Sequence, residues 1–200
     1  MTYEIFVSKK PLDGREIEEI KGLPVVKPIQ VHGNLVAFVG KGKSRRPKAD
    51  AVVTDSKEIW IGVLAADCLP IFLVGEGVVG VVHAGWRGTL KGIAFNAVSY
   101  INRFSRVKKA ILGISICKFC YEVGEDVRSL FPPMYDGCFK EIGEGKFLFD
   151  LKTANLLQLK SAGVRDFEFL EGCTCCNNQL FYSYRKEKTQ KRNLFAIRII

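Results

Sequence analysis

The chain has 200 residues, of which 48% are hydrophobic, 26% are charged and 11% are aromatic. This composition excludes an intrinsically disordered, collagen-like or coiled-coil protein, and a chain of this length buries roughly 70% of its unfolded surface without a disulfide or metal staple. The net charge of +9 favours anionic partners such as phosphate or nucleotides. We expect a single domain over residues 1–200.

The first half of the chain predicts mainly β-strands. Residues 3–7 alternate and predict a strand, whereas the short, charged residues 13–21 predict one or two helical turns. Residues 25–31 and 35–39 predict two strands around a turn at residues 32–34. Apolar runs then predict consecutive buried strands at residues 51–53, 59–66, 70–74 and 78–83.

The pattern changes to helical spacing after Gly88. Apolar residues at 90–101 predict a helix with Thr89 as its cap, and residues 123–130 predict a second helix. Asp150 caps a third, amphipathic helix that ends at Gly163. Further strands are predicted at residues 107–115, 147–149, 164–170 and 194–200. The fold class is therefore α+β, with mixed β-sheets flanked by helices.

Several features indicate where the protein resides and what it does not bind. The N-terminus lacks the charged and apolar regions of a signal peptide, and Asp67 and Pro70 interrupt the longest apolar region, residues 59–82. We therefore expect a cytoplasmic protein with no membrane partner. Basic clusters at residues 41–48 and 185–192 lack interleaved aromatic residues, so we expect no nucleic-acid partner.

Two histidines and one cysteine lie at predicted strand ends. His32 lies in Gln-Val-His-Gly, Cys68 in Ala-Asp-Cys-Leu-Pro, and His83 begins His-Ala-Gly-Trp-Arg-Gly. Two imidazole nitrogens and one thiolate make a zinc site with an open fourth position, where a bound water has a pKa of about 7. Alternatively, His83 activates Cys68 as a nucleophile without any metal. Spacing alone does not separate these hypotheses.

The order of several motifs resembles the YfiH family, first named as laccase-like polyphenol oxidases and now described as purine nucleoside phosphorylases. The resemblance extends from Gln30 to the C-terminus, and His83-Ala-Gly-Trp-Arg-Gly88 is its most specific motif. The matching segments are residues 30–33, 49–55, 66–70, 83–88, 120–124, 150–155, 173–174 and 181–185.

This resemblance implies a YfiH-like α+β domain with zinc held by His32, Cys68 and His83. It also implies phosphorolysis of adenosine, inosine and methylthioadenosine, and hydrolytic deamination of adenosine, so that the partners are a purine nucleoside and inorganic phosphate. There are two departures from the family pattern, of which the first concerns the substrate pocket and the second a mobile loop. The family usually has a longer segment before the motif at Gln30, and residues 186–191 replace its glycine-rich stretch.

Other residues in these motifs are candidates for proton transfer and substrate binding. Asp67, next to Cys68, is the first candidate for carrying a proton, and Glu122 is the second. Arg87 is the first candidate for binding phosphate through its guanidinium fork, followed by Arg185. We thus expect catalytic roles for His32, Cys68, His83 and Asp67, and substrate contacts for Arg87, Arg185 and Glu122.

Three other functions remain open at this stage. The chain also resembles the catalytic domain of cytotoxic necrotizing factor toxins, which are Cys-His deamidases, and this favours a metal-free amidohydrolase built on Cys68 and His83. A copper-dependent phenol oxidase is a weaker alternative, because multicopper clusters need many more than two histidines. Charge alone suggests a nucleic-acid-binding module.

The remaining cysteines include two closely spaced pairs. Seven cysteines in a reducing compartment predict thiols, metal ligands or catalysts more than a disulfide framework. The spacing Cys117-Lys-Phe-Cys120 and Cys173-Thr-Cys-Cys176 resembles a four-thiolate structural zinc site. Because residues 121–172 separate the two pairs, a second metal site, a disulfide and unrelated buried thiols all remain open.

Overall fold

The structure is a computed structural model that describes residues 2–40 and 46–200. The predicted basic cluster at residues 41–48 therefore lies largely outside the described residues. None of the described helices is long and apolar enough to cross a membrane.

The first large sheet brings the two ends of the chain together. Its order is β1 (Tyr3–Val7), β14 (Asn193–Ile199), β6 (Trp60–Ala65), β3 (Leu23–Val26) and β2 (Glu19–Ile20). Strand β14 is antiparallel to both β1 and β6, whereas β3 is parallel to β6. The strands predicted at residues 3–7 and 194–200 are confirmed, and the structure shows that they pair with each other.

The second large sheet contains the most deeply buried strands. Its order is β13 (Asp166–Phe169), β9 (Val107–Leu112), β7 (Leu69–Gly75), β8 (Val79–Ala84), β5 (Ala51–Thr54) and β4 (Val36–Phe38). The two pairs at its edges are parallel and the three central pairings are antiparallel. Every residue of β7 and β8 is buried, because one face packs on the first sheet and the other on the helices.

The helices and a small sheet complete the architecture. The α-helices are α1 (Trp86–Leu90), α2 (Ile93–Ile101), α3 (Glu125–Arg128), α4 (Leu151–Ser161) and α5 (Tyr184–Glu187), with a 3-10 helix at Pro133–Cys138. The small antiparallel sheet has the order β10 (Glu122–Gly124), β12 (Lys146–Phe149) and β11 (Phe139–Gly143). Asp150 caps α4 as predicted, because its side chain accepts a hydrogen bond of 2.9 Å from Thr153 N.

Three predictions of local structure are wrong. The strands predicted at residues 25–31 and 35–39 do not pair, because β3 joins the first sheet and β4 the second. Residues 123–130 begin in β10 and form only one helical turn. Residues 13–21 form turns and β2 rather than helical turns.

The predicted cap of the helix after Gly88 is also wrong. Thr89 lies inside α1, and its hydroxyl donates to Gly85 O at 2.9 Å. The residue before α2 is Gly92, whose φ of 77° lies in the left-handed region that favours glycine. The single predicted helix is therefore two helices that meet at a glycine.

Candidate active site and metal centre

The structure brings together the three residues predicted as metal ligands. His83 lies near the end of β8, Cys68 immediately precedes the neighbouring β7, and His32 lies on the segment that crosses from β3 to β4. Their ligand atoms all lie within 4.8 Å of one another. The two imidazole rings meet edge to face, with centroids 4.9 Å apart. Three distant parts of the sequence thus supply one cluster of nitrogen and sulfur donors.

Local backbone structure makes room for this cluster. His32 has a φ of 55°, in the left-handed region that non-glycine residues rarely adopt. A Cβ atom on Gly85 would lie only 2.8 Å from Cys68 Sγ and 3.6 Å from His32 Cδ2. The glycine that follows His83 and Ala84 is therefore needed for the close approach of its backbone to the thiol.

Asp50 positions both histidines, and the sequence analysis did not assign it a role. Its fully buried carboxylate lies 2.9 Å from His83 Nδ1 and accepts hydrogen bonds from the backbone N–H groups of Val31, His32 and Gly33 at 3.2, 3.0 and 2.7 Å. Burial would raise the pKa of Asp50, but the bonds from His83 and Gly33 hold it below its usual range. An ionised carboxylate only accepts hydrogen bonds, so His83 donates from Nδ1 to Asp50. Its other ring nitrogen, Nε2, does not contact Asp50.

Cys68 and His83 also shift each other's pKa values. Burial would raise the pKa of the Cys68 thiol, but the charge of His83 and hydrogen bonds from His32 and His83 lower it to about 6. Burial would lower the pKa of His83, but Cys68 and Asp50 raise it to about 9. Without a metal, the pair is therefore a thiolate and an imidazolium near neutral pH. Thiolate is the form of cysteine that binds metals and attacks electrophiles.

The donor set fits a metal ion with three protein ligands. Two imidazoles and one thiolate match the ligands of catalytic zinc sites. Asp50 contacts His83 in the way that carboxylates commonly orient metal-binding histidines. His83 is buried and Cys68 is half-buried, whereas His32 is exposed. The cluster is thus accessible through the exposed side of His32.

That accessible side faces a cleft of about 930 Å³. The cleft has more basic than acidic side chains in its lining, which favours an anionic ligand. The basic residues are Arg15, Arg46, Arg87, Arg185, Lys188 and Arg192. The acidic residues are Asp67, Glu122 and Asp126. All seven residues predicted to be catalytic or to bind substrate contribute to this one cleft.

Arg87 is held next to the cluster with its charge available. Its guanidinium carbon lies 4.3 Å from the centroid of the Trp86 ring, a stacked arrangement that orients the side chain. Arg87 is exposed and makes no salt bridge within the described parts of the chain. Its guanidinium can therefore bind an anion in the cleft without breaking an ion pair.

Arg185 has a different environment from Arg87. Its guanidinium donates to Cys120 O at 3.4 Å and to Glu122 O at 2.8 Å, and it lies 5.4 Å from the centroid of the Tyr121 ring. The side chain therefore connects α5 to the segment that begins β10. The Glu122 carboxylate is 4.0 Å from Lys146 Nζ and is half exposed.

Asp67 anchors the C-terminal part of the cleft wall. Its Oδ1 accepts hydrogen bonds from the hydroxyls of Thr174 and Ser183, both at 2.7 Å, and its Oδ2 accepts from Arg185 N at 2.6 Å. It also has a φ of 97°, so its backbone adopts an uncommon conformation to present this carboxylate. A part in proton transfer stays a prediction for Asp67, as it does for Glu122.

Comparison with known proteins identifies the family. Residues 15–199 match the family described as "Multi-copper polyphenol oxidoreductase laccase". The chain belongs to this family. The name of this laccase-like family refers to copper, but the sequence has only two histidines, far fewer than multicopper clusters require.

Members of the family with curated names are similar over much of the chain. A purine nucleoside phosphorylase of Aquifex aeolicus is 36% identical over 174 residues, covering 86% of this chain and 82% of that protein. Adenosine deaminase RL5, from an unknown prokaryotic organism, is 39% identical over 149 residues, covering 68% of this chain. The match spans only 56% of RL5, and 59% of a similar Geobacillus stearothermophilus relative.

The fold of the family is confirmed by a solved structure. The crystal structure of Bacillus licheniformis hypothetical protein YfiH superimposes with a TM-score of 0.81 at 27% identity, covering 88% of this chain and 74% of that one. The resemblance to the YfiH family and the α+β fold with mixed sheets are therefore confirmed.

Two laccase-like family motifs contained site residues that the sequence analysis did not single out. Asp50 lies in the segment at residues 49–55, directly before β5, where an isolated acidic residue precedes a strand of apolar residues. Tyr121 lies between Cys120 and Glu122, and both burial and the nearby Cys68 thiolate raise the pKa of its hydroxyl. For Asp50, an acidic residue directly before an apolar strand was the available signal, whereas Tyr121 stands in a segment of mixed polar and apolar residues and had no such signal.

Proposed function

We propose that this protein is a zinc-dependent purine nucleoside phosphorylase that also deaminates adenosine. The observation that carries the proposal is a cluster of two imidazoles and one thiolate at the bottom of a basic cleft. Relatives named purine nucleoside phosphorylase and adenosine deaminase support the same two reactions. Adenosine, inosine and methylthioadenosine are the proposed nucleosides. The proposed location is the cytoplasm, because an odd number of seven cysteines suits thiols and metal ligands better than a disulfide framework.

His32, Cys68 and His83 are the residues that would hold zinc. When bound, zinc supplies a Lewis acid that makes a water molecule a stronger nucleophile at neutral pH. Asp50 keeps His83 in one orientation through its 2.9 Å contact with Nδ1. Cys68 contributes a thiolate, which is a far better ligand for zinc than the neutral thiol.

Arg87 is the proposed phosphate ligand. Phosphorolysis requires inorganic phosphate to attack C1′ of the ribose while the purine leaves and is protonated. Stacking on Trp86 fixes the guanidinium before phosphate arrives, so less conformational freedom is lost on binding. Arg185 donates to two backbone carbonyls, and its proposed contribution is to hold the opposite wall of the cleft in place.

Asp67 and Glu122 are the proposed proton carriers, and the two carboxylates have different contacts. Both oxygens of Asp67 accept hydrogen bonds from the cleft wall, whereas the Glu122 carboxylate is half exposed beside Lys146. If Glu122 carries the proton, Glu122→Gln removes the acidic limb of the pH–rate profile and leaves the melting temperature unchanged. If Asp67 has only an anchoring role, Asp67→Asn lowers the melting temperature and keeps that limb.

The proposal is tested by measuring both products from adenosine. Zinc-loaded protein is incubated with adenosine, with and without phosphate, and adenine and inosine are separated. We expect adenine only with phosphate, inosine without phosphate, and with phosphate both inosine and the hypoxanthine that its phosphorolysis releases. Because a charge-assisted hydrogen bond contributes about 1.5–3 kcal/mol, Arg87→Ala raises KM for phosphate by about 10-fold or more. Deamination without phosphate retains its rate in this variant.

Arg103→Ala provides the matched control for Arg87. Arg103 is also an exposed arginine over an aromatic ring, 5.8 Å from the centroid of Tyr100, but it lies outside the cleft. We expect no change in either activity. Release of neither adenine nor inosine by zinc-loaded protein would contradict the proposed function, and equal losses of both activities in Arg87→Ala would contradict the phosphate role.

A metal-free Cys-His amidohydrolase is the second candidate, and one observation favours it. Cys68, His83 and Asp50 have the order of a nucleophile, a base and an orienting carboxylate, with Asp50 Oδ1 2.9 Å from His83 Nδ1. This candidate predicts amide hydrolysis that is indifferent to chelators and passes through an acyl-enzyme on Cys68. It gives His32 no metal to bind and only a hydrogen bond that favours the Cys68 thiolate, so loss of zinc and activity together in His32→Ala would favour the first function.

A further inference from the structure

A second cluster of cysteines lies outside the cluster of His32, Cys68 and His83. It contains Cys117, Cys120, Cys173 and Cys176, whose four Sγ atoms all lie within 4.8 Å of one another. The Sγ atom of Cys176 is 3.4 Å from that of Cys120 and 3.9 Å from that of Cys117. We name these four residues the four-cysteine cluster.

The sulfur–sulfur distances fit ligands around one metal ion. In a regular tetrahedron with Zn–S bonds of about 2.3 Å, neighbouring sulfur atoms are about 3.8 Å apart. The measured distances of 3.4 and 3.9 Å lie on either side of this value. A disulfide requires about 2.05 Å, and all four cysteines are free thiols in the structure.

Backbone contacts hold the two cysteine pairs in this arrangement. The N–H groups of Cys117 and Cys176 point at Cys173 Sγ, at 3.1 and 3.4 Å. Such bonds favour a thiolate, the form that binds a metal. Strands β9 and β13 run parallel, so the segments that follow them emerge at the same edge of the sheet. A parallel bridge between Ser115 and Cys173 continues this pairing to the cluster.

We infer that the four-cysteine cluster is a structural zinc site that fastens one wall of the cleft. Four thiolates complete the coordination of zinc and leave no position for a substrate, which is the ligand set of structural sites. The site is independent of the proposed enzymatic function, because it shares no ligand with the cluster of His32, Cys68 and His83.

Hydrogen bonds connect the segments around the four-cysteine cluster to residues that line the cleft. Ile116 N donates to Asp67 O at 2.9 Å, and Thr174 Oγ1 donates to Asp67 Oδ1 at 2.7 Å. Arg185 Nη1 donates to Cys120 O at 3.4 Å. The segments on both sides of the cluster therefore contact the residue that precedes Cys68, and loss of the metal releases them together.

The test measures metal content and metal position in the full chain. We expect two zinc ions per chain by native mass spectrometry and elemental analysis of protein purified without chelator. His32→Ala removes one zinc and keeps the four-cysteine cluster loaded, whereas Cys176→Ser removes the other. Replacement of that second zinc by Co²⁺ in His32→Ala should produce the thiolate-to-metal charge-transfer absorption of a four-sulfur site.

Cys175→Ser is the matched control for Cys176→Ser. Cys175 is the adjacent residue and is half-buried, but it is not one of the four grouped sulfur donors. We expect this variant to keep both zinc ions and the melting temperature of the wild type, whereas Cys176→Ser lowers the melting temperature.

A measurement on the wild type does not depend on whether a variant folds. In native protein, iodoacetamide should spare Cys117, Cys120, Cys173 and Cys176 until a strong chelator is added. A single zinc ion that His32→Ala removes, iron in place of zinc at the cluster, or a disulfide between any two of these residues would overturn the inference. The proposed function is tested separately, by the release of adenine and inosine and by the zinc that His32→Ala removes, so failure here is distinguishable from failure of the proposed function.

Discussion

The cluster of His32, Cys68 and His83 and the four-cysteine cluster are built in opposite ways. The first takes one donor from each of three separate segments, of which only those of Cys68 and His83 lie at strand ends, and it exposes His32 to a cleft. The second takes two donors from each of two short loops, and its four sulfur atoms lie close to one another. Three donors with an accessible side suit chemistry on a bound molecule, whereas four thiolates suit a fixed structural ion.

The supporting residues differ in the same way. A buried carboxylate, Asp50, orients the first cluster and contacts the segments of both histidines. Backbone N–H groups orient the second and contact Cys173. A side chain can be changed by substitution but a backbone amide cannot, so single variants should alter the first cluster more selectively than the second.

The largest effect is expected when one ligand of the first cluster is removed. This variant also tests whether the two clusters bind metal separately. His83→Ala should lower activity on adenosine by more than about 100-fold, since even loss of a residue hydrogen-bonded to a ligand costs about 10- to 100-fold. Elemental analysis should show that this variant loses one zinc and keeps the zinc of the four-cysteine cluster. Full activity, or loss of both zinc ions from folded protein, would contradict the separation.

A smaller effect is expected from the carboxylate that orients His83. Asp50→Asn should weaken zinc binding by about 10- to 100-fold at the first cluster, because the amide cannot replace a charged acceptor of several N–H groups. Competition with a chromophoric chelator measures this affinity. Asp55→Asn, at an exposed position, is the control and should bind zinc as the wild type does.

A still smaller effect should follow from adding one methyl group. In Gly85→Ala the new Cβ would lie 2.8 Å from Cys68 Sγ, so the thiolate must move away from the histidines. We expect zinc affinity at the first cluster to fall by about 5- to 10-fold, since overpacking by a small group costs about 1 kcal/mol or more. Gly137→Ala, where no atom lies within 4 Å of the new Cβ, should leave the affinity unchanged.

The smallest perturbation leaves the sequence intact and changes only the pH. After gentle chelation empties the first cluster, alkylation of Cys68 should increase as pH rises through about 6, because its thiolate forms there instead of near 9.0. Burial raises the pKa of Cys138 to about 11, so this thiol should stay unlabelled in the same samples. Half-maximal labelling of Cys68 near pH 9 would contradict the proposed pairing with His83.

Much of the sheet architecture could be predicted from the sequence, because strands buried on both faces have continuous apolar runs. Strands β5 to β8 have this property, and they also position Cys68 and His83. The pairing predicted for residues 25–39 was wrong because turn signals are local. The same residues suit a hairpin or a crossing between sheets, and only distant partners decide between them.

The residues that the sequence did not reveal depend on contacts between distant segments. Val123 and Val127 have helical spacing, but Val123 pairs with Phe147 in β10 and β12. Asp50 matters because the amides of residues 31–33 and the ring of His83 converge on it. Likewise, each C-x-x-C pair was visible in the sequence, while the meeting of the two pairs depends on the parallel pairing of distant strands.

The parallel pair of β9 and β13 has a consequence for the register of the sheet edge. Strand β13 is an edge strand with mostly exposed side chains, so its own packing specifies its alignment weakly. A slip of one residue would displace Cys173 by about 3.3 Å, nearly the full spacing between neighbouring sulfur ligands. In the proposed zinc site, metal binding beyond the end of this strand would therefore select one alignment and disfavour the shifted ones.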